Sequence, residues 1–256
     1  MPTSEDLELA LSLADSADAL TMAAFRREGL RVETKPDLTP VTEADRGAEE
    51  ALRRALTDAR PGDTVVGEEM GGELGTGRQW ILDPIDGTKN FVRGVPVWAT
   101  LIALVIDGQV EVGVVSAPAL GRRWWAARGQ GAWTRGPEDP ADRPLRASAV
   151  ATLADASFSF SDGVGWPAGA LVSLMDSVWR TRAYGDFWSH MLVAEGSVDI
   201  AMEPELSVWD VAALAPIVEE AGGRITAIDG GDILRGPGAL STNGVLHDAA
   251  LAIIRG

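Results

Sequence analysis

The sequence predicts an α/β fold of stacked layers arranged in two lobes. Three observations lead there. Between residues 97 and 133, apolar strand-like segments follow one another with no helix between them. Past residue 144, strand-like and helix-like segments alternate. Between the two regimes lies GPEDPADRP (136–144), rich in proline and acid, the best candidate for a boundary or surface loop. The expected organisation is an N-terminal α+β lobe over 1–142 and a C-terminal α/β lobe over 143–256, packed as one unit. There is no repeat and no low-complexity tract.

The elements follow in order. Leu7, Leu11, Ala14, Ala17, Leu20, Ala24 and Phe25 recur at helical spacing, which predicts a helix over 5–28. A second helix follows Thr42, with Asp45 three residues on in a capping-box-like arrangement, and runs to Ala59, where RPGD breaks it. TVVGEE and QWILDPID read as strands that end in carboxylates. Val97 to Trp133 reads as antiparallel strands, with Asp107-Gly108 as a hairpin turn. Beyond the loop, DASFSF, VWRTRAY, SVDIAM and RITAID are expected strands. Helices are expected near 169–177, from Asp186 to Glu195, from Val208 to Ala221, and at the C-terminus.

Composition limits the function. The 256 residues suffice for a sizeable core, and 23% charged residues is ordinary for a globular chain. Cysteine is absent, which excludes disulfides, thiolate metal sites and a cysteine nucleophile. The acidic, amphipathic N-terminus lacks the pattern of a signal peptide. No apolar run nears the roughly 18 residues of a membrane helix. The expectation is a cytoplasmic protein with no membrane partner. A net charge of −16 argues against nucleic acid, which calls for a basic patch. Solubility accounts for most of that acidity. A second use is for some carboxylates to cluster around divalent cations that bridge to an anionic substrate.

The strand end QWILDPIDGTKNF (79–91) shows where. Asp83 and Asp86 are candidate ligands for a hard cation, with Pro84 stiffening the turn and the Ile85 carbonyl as a neutral oxygen donor. Gly87 permits an unusual dihedral, and amides near Thr88 suit a phosphate if a helix starts there. A plain Asp-Gly turn is the competing reading. Glu68 and Glu69 end a second strand, and Asp210 opens an amphipathic helix, where an Asp also serves as N-cap. Lys35 and Asp45 lie before and within the second helix, positions usually solvated.

Two long motifs in this order, WILDPIDGTKNFVRGVPVWATLIAL (80–104) and VWDVAALAPIVEEAGG (208–223), resemble the inositol monophosphatase-like family of Mg²⁺-dependent, lithium-sensitive phosphatases. VVGEE (65–69) and TKPDLTPVTEAD (34–45) fit too, so the resemblance spans nearly the whole chain. It implies a layered α-β-α-β-α fold shared with sugar phosphatases, and a homodimer. It implies two or three Mg²⁺ ions on Glu68, Asp83, the Ile85 carbonyl, Asp86 and Asp210. It implies catalytic roles for Thr88, Asp45, Glu68 and Lys35, with Thr88 and Asp45 orienting a water. Substrate contacts are implied at Asp86, Gly87, Thr88, Arg182, Asp186, Glu203 and Asp210. The physics agrees: cations neutralise a phosphate monoester dianion, activate water and stabilise the leaving alkoxide, which leaves little covalent work for side chains. His190 and His247 are read as structural or exposed.

The alcohol is read from RTRAYGDFWSHMLVAEGSVDIAMEPELSVWD (180–210). Asp186, Phe187 and Trp188 follow Gly185, where inositol-type members carry small residues. An acid beside aromatics suits an ammonium and a flat ring. Equally, Asp186 could cap its helix, and Trp188 is read as core. With RAYGDF, the chain resembles the bacterial histidinol-phosphate phosphatase branch, which implies Asp186 and Glu203 on the substrate amine. The alternative is a broad inositol-1-phosphate-type phosphatase.

Overall fold

The computed structural model describes residues 4–34 and 40–256. Helix α1 (Ser4–Ala24) buries Ala10, Leu13, Ala14 and Ala17 along one stripe. It ends short of residue 28. Phe25 leaves the helix to pack 5.4 Å from both Phe91 and Trp98, and Arg26 turns into the left-handed region at φ +58°. Strands β1 (Val32–Thr34) and β2 (Pro40–Thr42) form a small antiparallel pair that no apolar alternation signalled. Helix α2 (Glu43–Ala59) starts and stops where expected: the Thr42 hydroxyl accepts the amides of Ala44 and Asp45, and Asp45 accepts the Thr42 amide.

A seven-stranded sheet follows in the order β3 (Thr64–Gly67), β4 (Arg78–Asp86), β5 (Ala99–Ile106), β6 (Gln109–Ala117), β7 (Arg122–Ala127), β8 (Ala132–Arg135) and β9 (Arg143–Pro144). Only β3 and β4 run parallel; the rest is the expected antiparallel run. A short helix, α3 (Thr88–Arg93), sits between β4 and β5. Asp107 and Gly108 both take positive φ, 50° and 82°, as a two-residue hairpin turn requires. The end of the 136–144 stretch pairs with β8 as β9, so it closes this sheet rather than serving wholly as a loop.

The second sheet has five strands: β10 (Ser157–Ser159), β11 (Arg180–Arg182), β12 (Ile200–Glu203), β13 (Arg224–Thr226) and β14 (Ala239–Thr242), in the order β11-β10-β12-β14-β13. Helices α4 (Ala170–Ser177), α5 (Asp186–Ala194), α6 (Val208–Val211), α7 (Leu214–Glu220) and α8 (His247–Arg255) accompany it. The single helix expected over 208–221 is broken into α6 and α7. Pro216 has no N–H to give the Ala212 carbonyl, and its ring crowds that carbonyl. β14 was not foreseen, since only four residues, ALST, carry it.

Burial sets the layers. Leu13, Leu52 and Leu56 of α1 and α2 cover one face of the large sheet, against Trp80, Leu82, Ile102 and Val114. On the other face, Leu101, Val115 and Trp124 pack on Met191 of α5 and Leu214, Ile217 and Val218 of α7. Helix α5 also touches β12 of the small sheet. Its far face, with Phe158, Ile200 and Leu240, is closed by Leu174 of α4 and Leu251 and Ile254 of α8. The result is the α-β-α-β-α stack. Among the described residues, no helix is long and apolar enough to cross a membrane.

Candidate active site

The end of β4 delivers the first two acids. Its pairing with β5 shifts register between Asp83 and Asp86, an irregularity of the kind that re-aims side chains. Asp83 is buried, and its Oδ1 accepts the Ile85 amide at 2.9 Å. Asp86 Oδ2 accepts the Phe187 amide at 2.9 Å. Asp210 lies on the first turn of α6 but is not its N-cap: its Oδ2 accepts the Ser207 amide at 2.6 Å. The N-cap itself is Ser207, with Asp210 as the third helical residue of a capping box, and Asp210 also joins the cluster. One carboxylate oxygen from each of Asp83, Asp86 and Asp210 lies within 4.8 Å of the others. The isolated Asp-Gly-turn reading fails here.

Crowded acids resist ionisation. Burial first, then the neighbouring carboxylates, hold Asp83 and Asp86 well above the usual range and push Asp210 up to about 7. Glu68 is among the charges that raise all three, and Asp45 as well, so it faces the same space. This oxygen-only donor set fits a hard divalent cation, whose charge would relieve the repulsion.

Glu68 follows β3, where its amide donates to the Leu82 carbonyl at 3.2 Å. The turn is clamped from α2. Buried Glu49 accepts the amides of Glu69 (2.7 Å) and Met70 (3.1 Å) and meets Arg53 Nε at 2.8 Å. Arg53 goes on to the carbonyls of Val65 and Gly71. A Cβ on Gly67 would collide with the Glu49 carboxylate. Glu49, Arg53 and Gly67 were missed. The sole sequence signal was a Glu and an Arg four apart on one helix face, usually a solvated pair.

Beside the cluster, Thr88 Oγ1 donates to the Ile85 carbonyl at 3.0 Å and stands 3.5 Å from Asp45 Oδ1. Asp45 is fully buried, not solvated, and burial raises its pKa. Its other oxygen is fixed by the Thr42 amide at 2.8 Å. Gly87 takes φ +81°, and a Cβ there would meet the Val97 carbonyl at 3.0 Å.

Across the cluster, Asp186 opens α5 at φ +49°. The N-cap is Gly185 with no side-chain bond, so Asp186 does not cap its helix. Its Oδ2 accepts Asn90 Nδ2 at 3.0 Å, and its amide donates to Ser161 Oγ at 2.8 Å. Ser161 Oγ donates in turn to Glu203 Oε1 at 2.7 Å. Burial, with Asp186 and Asp162 adding to it, raises Glu203 to about 8. Phe187 is core, edge-on to Trp124 at 6.0 Å. Trp188 is half-buried against the same core and tilts over the exposed Tyr184 at 5.5 Å. Arg182 is exposed at the end of β11, with Nη1 on the Thr181 carbonyl; no hydrogen bond or ion pair among the described residues joins it to the cluster. Lys35 lies outside the described residues. His190 and His247 are buried in the second half of the chain, on Ser241 and on Thr226 and Thr242, as structural histidines.

A cleft of about 370 Å³, lined by Glu205, Ser207, Asp210 and Pro237, opens beside the acids. A larger one, about 500 Å³, lies away from them between α1 and β7. Its Arg123 is already paired with Asp15 and Asp18, so the smaller cleft is the one that fits the chemistry.

The inositol monophosphatase family matches residues 3–255. The chain belongs to this family. Histidinol-phosphatase of Mycobacterium tuberculosis is 59% identical over 252 residues, 96% of each chain. Histidinol-phosphatase of Streptomyces coelicolor is 57% identical over 259 residues, 98% of this chain and 97% of the relative. A solved IMPase of Thermotoga maritima superposes with a TM-score of 0.87 at 30% identity, covering 98% of this chain and 97% of its own. In this member of the family, the acids of both long motifs converge on one buried site.

Proposed function

We propose that the protein is a Mg²⁺-dependent phosphomonoesterase that hydrolyses L-histidinol phosphate to L-histidinol and phosphate. The observation that carries the reading is the acidic pair Asp186–Glu203, joined through Ser161, beside the Asp83–Asp86–Asp210 cluster. The cluster suits the phosphate end through cations, and the pair suits the ammonium end directly. The names of the two relatives above support the same substrate.

Glu68, Asp83, the Ile85 carbonyl, Asp86 and Asp210 would hold two or three Mg²⁺ ions. When bound, the ions supply charge neutralisation of the phosphate, activation of water and stabilisation of the leaving alkoxide. Thr88 Oγ1 accepts a hydrogen bond from the attacking water and, turning its own proton from the Ile85 carbonyl to Asp45 Oδ1 3.5 Å away, passes that proton on. Burial makes Asp45 a better proton acceptor than a solvated aspartate. The water oxygen bonds to phosphorus, the bond to the alcohol oxygen breaks, the leaving alkoxide takes a proton from solvent, and Asp45 returns to solvent the proton it received. The amides of Gly87 and Thr88 orient the phosphate, and a catalytic role for Lys35 rests on the family resemblance alone. Asp186 and Glu203 bind the amine, Arg182 is assigned to the substrate by the family resemblance alone, and Tyr184 offers an exposed face to the imidazole.

We also propose a lithium-sensitive, cytoplasmic homodimer. Exposed Val172 and Met175 on α4, and exposed Trp179 next to the edge strand β11, support the dimer. The N-terminal lobe, 1–142, carries most of the metal ligands, and 143–256 carries the specificity segment. The test is the initial rate of phosphate release with Mg²⁺, comparing L-histidinol phosphate with inositol 1-phosphate. A large preference for histidinol phosphate is expected; equal rates, or a preference for inositol 1-phosphate, overturn the substrate reading.

A further inference from the structure

We propose that Asn90 is a specificity-determining positioning residue, which selects phosphate esters bearing an ammonium by holding the Asp186 carboxylate in place without neutralising it. The inference rests on the substrate reading above.

Asn90 lies on α3, four residues past Asp86. Its side-chain amide uses Nδ2 twice, donating to the Val97 carbonyl at 2.9 Å and to Asp186 Oδ2 at 3.0 Å. The first bond anchors the amide to the segment ahead of β5. The second reaches a residue far along the chain. The same Val97 carbonyl closes over Gly87. Asp186 is thereby fixed at a set distance from the phosphate end of the site, its Oδ2 about a van der Waals contact from where a Gly87 Cβ would be.

The choice of partner is informative. A partly buried acid is commonly met by Arg or Lys, which would cancel its charge. Asn90 is neutral, so it orients the carboxylate and leaves the negative charge for a ligand. Lys89, whose charge favours ionised Asp186, is exposed, and the charge of Asp162 acts on Asp186 in the opposite sense. Asp186 also holds a left-handed backbone, φ +49°, which a non-glycine residue keeps only where surrounding bonds impose it. Ser161 on its amide and Asn90 on its carboxylate are those bonds. Packing alone would not require an amide at 90.

The experiment measures kcat/KM of the Mg²⁺-loaded enzyme for L-histidinol phosphate and for its analogue lacking the amine, 3-(imidazol-4-yl)propyl phosphate. Asn90→Ala is expected to lower the ratio between them about ten-fold, through KM, the scale of one hydrogen bond to a charged group. In an Asp186→Asn background the same change should move the ratio less than about two-fold, because the effect travels through Asp186. Asn90→Leu, close in size and neutral but without the donor, should lower the ratio likewise if the alanine variant is too unstable to assay. A ratio unchanged in Asn90→Ala and Asn90→Leu, or one that falls equally without Asp186, overturns the inference. A wild-type enzyme that treats the two esters alike overturns the substrate reading and this inference together. A wild-type preference that survives at position 90 overturns this inference alone.

Discussion

The carboxylate of Glu49 fills the space that a Cβ on Gly67 would need. A buried acid on α2 and a missing side chain on β3 together shape the turn that presents Glu68.

Removing the acid should loosen that turn. Glu49→Ala leaves the amides of Glu69 and Met70 and the Arg53 guanidinium without their partner. A broken buried pair costs about 3 kcal/mol or more. Thermal denaturation should show Tm lower by roughly 6–12 °C, at the usual scale for a chain of this size. Activity should fall with it, and more Mg²⁺ should be needed to restore it. An unchanged Mg²⁺ requirement would show that the turn does not serve the cluster.

Asp83→Asn separates binding from folding. It removes one of three crowded acids, so the cation-free protein should be no less stable than wild type. Wild type should gain about 2.7 kcal/mol from a cation at a hundred times its Kd. The variant should lose that gain and most of its phosphate release. Differential scanning fluorimetry with Mg²⁺ and with EDTA reads both, and a variant that Mg²⁺ still stabilises fully would remove Asp83 from the ligand set.

Thr88→Val keeps the shape and deletes the hydroxyl between Ile85 and Asp45. The expected result is a fall in kcat of about 100-fold, within the range for lost proton transfer, with KM little changed. A near wild-type kcat would end its role in water activation.

Glu203 gives a pH signature. Its pKa is raised to about 8 in the fold, against an ordinary value near 4.5. The folded protein therefore holds a proton that the unfolded chain releases. The stability this contributes is full below about pH 4.5 and is lost as pH rises through about 8. Glu203→Gln carries no such proton. Its denaturation midpoint should rise relative to wild type, by the equivalent of a few kcal/mol at most, between pH 4.5 and 8. A difference that stays constant across that range would contradict the shift.

The layered fold and the acids at 83, 86 and 210 were legible because each sits at the end of a clear apolar period. β4 announces itself through Trp80, Ile81 and Leu82, and α7 through Leu214, Ile217 and Val218. The break at Pro216 was legible too, had the proline been weighed against the helical period. Glu49 was not. In sequence it is one charge among many on an amphipathic helix, and only the approach of β3 shows that it is buried. Asp186 was half legible: the acid was read, but its left-handed backbone and its bond to Asn90 depend on two segments meeting.

Asp86 belongs to the cluster and also accepts the Phe187 amide on Oδ2. A single carboxylate thus serves both the phosphate-splitting centre and the first turn of the segment that reads the alcohol. The two properties share a part, so they do not vary independently. Grafting a different specificity loop at 185–188 would retune the appetite for Mg²⁺, and selection for a new ester would proceed only along sequences that keep the metal.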